Sequence, residues 1–163
     1  MYYQLFFNFY LTATQKIVQS TRLKKGGFKT YFNAQHILCK LKTEERVFLD
    51  YLIEQARSDN RLFVDLGVKN GFCAFLINKL HLKDIPTINQ LDKHLKKFID
   101  LGLTIKEDGQ KGYYRINPKY FWKGTEGDRK ITLQRLVESR VKSGLPFACL
   151  IDKTEEDFLK PKA

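Results

Sequence analysis

Apolar residues recur at helical spacing in three stretches of this chain. Val47, Phe48, Tyr51, Leu52 and Ala56 form the first stripe. Thr43 precedes it as an N-cap, with Glu44 and Glu45 in the first turn, where the helix dipole favours acids. Ser58-Asp59-Asn60 marks its expected end. Phe72, Phe75, Leu76 and Leu80 form the second stripe, over residues 72–82, broken by Asp84-Ile85-Pro86. The third is the clearest. Thr87 stands as N-cap, Ile88, Leu91, Leu95, Phe98 and Ile99 line one side, and Gly102 sits where helices commonly stop.

Strand-like runs separate these helices. Arg61 to Leu66 (RLFVDL) predicts a short strand, followed by a turn over Gly67–Gly71. Leu103–Lys106 and Gly112–Ile116 predict two strands joined through Glu107-Asp108-Gly109-Gln110-Lys111, and Asp-Gly in such a loop signals a hairpin. Asn117-Pro118 stops the second of these strands, since proline has no N–H to donate. Tyr120, Phe121 and Trp122 then fold back onto the body, and a partly apolar helix carrying Ile131, Leu133, Leu136 and Val137 runs from about Glu126 to Lys142, up to Gly144. Upstream, MYYQLFFNFYLTA reads as a strand or docked helix, residues 11–27 as a basic joint ending in Lys24-Lys25-Gly26-Gly27, and Lys29–Leu41 as an extended or mixed lead-in. Lys153–Ala163 reads as a polar tail.

The 163 residues are enough for one domain with a core. The formal charge is +11, and it is uneven: the first 43 residues carry seven lysines and arginines and no acid. Such a balance favours an anionic partner, nucleic acid or a membrane surface. The apolar N-terminus is too short to span a bilayer and lacks a positive leader, so the expectation is a cytoplasmic protein with no membrane partner. Cys39, Cys73 and Cys149 are widely spaced, without a CxxC, and read as reduced, mostly buried thiols. His36, His81 and His94 offer no metal-ligand spacing, and no cofactor is implied. A strand-nicking enzyme would need a tyrosine beside a metal held by paired histidines, and no His-x-His, P-loop or Ser-His-Asp pattern exists, so the chain reads as a non-enzyme.

Helix, short strand, helix, helix and β-hairpin is the order of a winged helix. The expected fold class is α+β, mostly helical. It divides into a basic, aromatic extension (1–42), a winged helix-turn-helix (43–123), a C-terminal helix (124–144) and a final segment (145–163). In that arrangement the Thr87 helix enters the major groove. Asn89 and Gln90 suit adenine, Lys93 suits guanine or phosphate, and Thr87 brings the helix N-terminus to a phosphate. Lys96 and Lys97 suit phosphates, as do Lys111 and Arg115 on the wing and Lys24 and Lys25 in the arm. Lys123, Arg129, Lys130, Arg135 and Arg140 could reach DNA or face solvent, and solvent is the expectation.

Three segments carry a family resemblance: TINQLDKHLKKF from Thr87, LGLTIK from Leu101, and YRINPKYFWKG from Tyr114. Together they are similar to RepL-type plasmid replication proteins, small bacterial winged-helix initiators, over roughly Thr43–Leu136. The last matches the family's Asn-Pro segment leaving the wing. The resemblance implies binding of double-stranded DNA at origin repeats, initiation or control of plasmid DNA replication, and recruitment of host replication proteins. A winged-helix transcriptional regulator would look almost the same, and a basic protein-interaction module without DNA specificity is a further alternative. A homodimer, joined through the aromatic arm or the C-terminal helix, would suit repeated sites.

Overall fold

The computed structural model describes residues 17–21, 28–107 and 109–151. The chain is α+β, with helices dominant. Strand β1 (Ile17–Thr21) leads to β2 (Phe28–Tyr31), a helical turn and the short helix α1 (Gln35–Leu38). Then come α2 (Thr43–Gln55), β3 (Arg61–Phe63), α3 (Leu66–Asn78) and α4 (Ile88–Asp100). Strands β4 (Thr104–Lys106), β5 (Tyr113–Ile116) and β6 (Phe121–Trp122) precede α5 (Glu126–Lys142) and a closing helical turn at Ala148–Leu150. Two three-stranded antiparallel sheets form, ordered β1-β2-β6 and β3-β5-β4.

Helices α2, α3 and α4 meet around aromatic rings. Phe48 lies 4.7 Å from Phe72 and 6.0 Å from Phe98, centroid to centroid, and all three are fully buried. Leu49, Leu52, Leu91 and Leu95 close the same core. Phe28, Ala34, Ile37 and Leu38 belong to it as well, so residues 28–42 pack as part of the body, and the boundary expected before residue 43 is no gap in packing. The basic joint expected over 11–27 contains β1, which pairs with β2. A smaller cluster of Ile105, Val137, Phe147 and Leu150 seats α5 and the closing turn on β4.

Two helix starts differ from expectation. Lys42, in extended conformation, is the flanking residue of α2; its N–H donates to the Glu45 carboxylate at 2.8 Å, and Thr43 is already helical. The strand expected to reach Leu66 ends at Phe63. Asp65 caps α3, its carboxylate accepting from Val68 N–H at 2.9 Å, so the expected turn at Gly67–Gly71 is helix. Glycine at 71 leaves room for Tyr51, whose hydroxyl would lie 2.8 Å from an added Cβ. Helix α4 has the expected limits, with Thr87 as N-cap and Gly102 at φ 72° beyond its end.

The aromatic segment after Asn117-Pro118 turns inward as expected. Tyr120, Phe121 and Trp122 are buried, and Phe121 and Trp122 form β6 against β2. Asn117 ties this exit in place: its amide donates to the carbonyls of Gly102 (2.6 Å) and Cys149 (2.8 Å) and accepts from Lys119 N–H (2.9 Å). Lys123 donates to the carbonyls of Glu54 and Ala56, at 2.8 Å each, and so closes the end of α2. Arg129 is buried, against the expectation of solvent. Its guanidinium lies 3.8 Å from the centre of the Tyr31 ring, contacts Glu126, and donates to the carbonyls of Pro118 and Lys119. Tyr31 donates to Glu126, and burial first, then this bond, pushes its hydroxyl well above the usual phenol range.

The cysteines are free, but none is buried: Cys39 is exposed, Cys73 and Cys149 half-buried. His36 and His81 are exposed too, and so is Ile131 on α5. Among the described residues no helix is long and apolar enough to cross a membrane.

Candidate nucleic-acid interface

Helix α4 buries Leu91, Leu95 and Phe98 and turns its opposite side to solvent. Asn89, Lys93 and Lys96, at i, i+4 and i+7, are exposed together on that side. Their side chains make no hydrogen bond or ion pair to other described residues. Asp92, on the flank of this row, is held by Lys69 of α3, and Asp100, at i+4 from Lys96, is an exposed acid at the end of the row.

The other expected residues of α4 are engaged within the protein. Thr87 and Gln90 form a capping box: the Thr87 hydroxyl accepts from Gln90 N–H at 3.3 Å, and the Gln90 side-chain oxygen accepts from Thr87 N–H at 2.7 Å. Gln90 thus serves its own helix start. Lys97 donates to Glu45 at 2.6 Å and to the Lys40 carbonyl at 3.3 Å. His94 contacts Glu44 at 2.7 Å through Nε2. Burial pushes the Glu45 carboxyl up, but the hydrogen bonds from Lys97 and from Lys42 N–H outweigh it and hold the group below the ordinary carboxylate value. Lys97 and His94 therefore fix α4 on the start of α2, a positioning role that helical periodicity alone does not disclose.

On the β4–β5 hairpin, Lys111 is exposed as expected, and Lys106 with it. Arg115 is not free: it donates to Glu107 at 2.8 Å and to the Asp59 carbonyl at 2.9 Å, and its side chain is only 11% exposed. Lys24 and Lys25 lie outside the described residues. Asn89, Lys93, Lys96 and Lys111 are thus the expected residues left available, and Thr87, Gln90, Lys97 and Arg115 hold the elements that present them. Arg61 on β3 is a further cation: its side chain is 57% exposed, salt-bridged to Asp59. A basic residue in a three-residue strand gives no sequence signal of its own.

Among the described residues no group of histidine, cysteine and acid side chains is placed to hold a metal ion. No known protein family, curated protein or solved structure matches this chain.

Proposed function

We propose that the body from α2 to β5 is a winged helix-turn-helix, and that this chain is a sequence-specific binder of double-stranded DNA. The observation that carries the reading is the outward row Asn89, Lys93 and Lys96 on α4, a helix locked at both ends and followed directly by a hairpin. The sheet order β3-β5-β4 supports it, because it places the hairpin beside the strand between α2 and α3. With α4 in the major groove, Asn89 pairs with an adenine edge and Lys93 with guanine or phosphate. Lys96 and Lys111 neutralise phosphates, which sets register without reading sequence. The similarity of three segments to RepL-type initiators points to origin repeats as the site and to plasmid replication as the process.

The test is an anisotropy titration comparing DNA from around the gene with a scrambled duplex of equal length, at two salt concentrations. The expected result is a preference of about a thousandfold or more for one segment. Equal, salt-sensitive binding to both would mean that charge alone drives association. If the preferred segment holds repeats and supports autonomous replication, the initiator role stands; an upstream promoter site without that capacity indicates a transcriptional regulator.

A further inference from the structure

Phe63 and Tyr113 face each other across β3 and β5, on the side of the sheet away from α2–α4; on the same side α5 and the closing turn cover Ile105 of β4 and leave the β3 end open. Most large apolar side chains of the body are buried, yet these two remain 46% and 42% exposed. Their ring centroids lie 4.7 Å apart at an interplanar angle of 44°. The pair is seated rather than dangling. Phe63 lies over Gly112, where an added Cβ would come within 2.7 Å of its Cε2. The strand register sets Arg61 and Arg115 opposite each other one pleat along on the same face. Asp59 and Glu107 hold these two guanidiniums in place, and Arg61 stays open to solvent. Lys111 is exposed in the hairpin just before Tyr113.

We propose that this outer sheet face is a stacking platform for single-stranded nucleic acid, with Phe63 and Tyr113 taking the faces of unpaired bases and Arg61 and Lys111 its phosphates. Bases inside a duplex have both faces covered by their neighbours, so only an unpaired strand can use exposed rings in this way. Asp59 and Glu107 each offset one guanidinium beside the rings, which leaves exposed Lys111 and the solvent-facing part of Arg61 for phosphates, and the chain's +11 charge favours a polyanion. The inference rests on the nucleic-acid reading above and extends it to a second state of the ligand: α4 meets the duplex and the sheet holds the separated strand.

The experiment uses the full chain and three labelled probes of equal length: oligothymidylate, an abasic strand, and a duplex. The wild type is expected to bind oligothymidylate about tenfold or more tighter than the abasic strand. Phe63→Leu with Tyr113→Leu should abolish that difference while duplex affinity stays within about twofold. Tyr113→Leu alone, with circular dichroism as the folding check, serves if the double variant does not fold. Lys93→Ala with Lys96→Ala should do the reverse, weakening duplex binding and sparing the preference for bases over abasic backbone. Equal wild-type affinity for the oligothymidylate and abasic strands overturns the proposal while leaving duplex recognition intact. A wild type that shows the base preference yet binds all duplex sequences equally sinks the duplex reading instead. A wild type that sediments as a dimer, becomes monomeric in the double variant and shows no base preference also overturns it, and assigns the patch to a second copy.

Discussion

Asn117 is fully buried, and its amide joins three parts of the chain: the end of α4, its own strand exit and the closing turn. Asn117→Ala leaves two carbonyls and one N–H without this partner. The expected cost is roughly 2–4 kcal/mol, read as a lower urea midpoint at unchanged slope. Sequence made the strand stop at Asn117-Pro118 legible, because proline cannot continue a ladder. It could not show where the amide points, since Gly102 and Cys149 are remote in sequence and brought near by folding. Glu45 poses the same limit. As a first-turn acid it was readable, but its bond to Lys97, 52 positions on, was not. Its folded-state pKa lies below the ordinary value of 4.5, so its contribution to stability is present above that value and fades as pH falls through the lower, folded one. Glu45→Gln should accordingly be less stable than wild type at neutral pH, with the gap narrowing in thermal melts below pH 4.5.

At the level of elements, α4 was legible to its limits, because one apolar stripe, a capping threonine and a terminal glycine agree. Helix α3 was not. Its first turn contains Gly67 and is followed by Gly71, which resembles a loop by composition, and the deciding signal was Asp65 as a cap. The capping box of α4 separates two neighbours that looked equivalent in sequence. Gln90→Ala should lower stability by about 1 kcal/mol and leave base preference unchanged. Asn89→Ala should do the opposite, relaxing discrimination at one base pair with the melting temperature unmoved. On the hairpin, Gly112 has φ 84° and the Phe63 ring against it. Gly112→Ala meets both obstacles and should destabilise by about 1–3 kcal/mol, with displaced Phe63 and Tyr113 ring signals in NMR spectra.

For the molecule as a whole, the excess of positive charge was visible from composition, but its usable part is smaller than the count. Lys97, Arg115, Lys123 and Arg129 are committed to internal partners, while the α4 row, the hairpin, Arg61 and further lysines and arginines on other elements remain exposed. Replacing Lys93 and Lys96 with alanine should reduce the slope of log affinity against log salt by roughly 2, if each neutralises one phosphate. The α-helical body could be read because its contacts are periodic along the chain. The sheet β1-β2-β6 could not, because a two-residue strand has no period and its neighbour lies at the far end of the body. That sheet governs the order of assembly. Thr30 is matched to Phe121, and the whole of α2 to β5 lies between them. Helical contacts can form as the chain leaves the ribosome, whereas β2 must wait for β6 to be synthesised. A nascent chain stalled before Phe121 therefore exposes an open strand edge on β2, beside Phe28 and Tyr31, where another chain could pair.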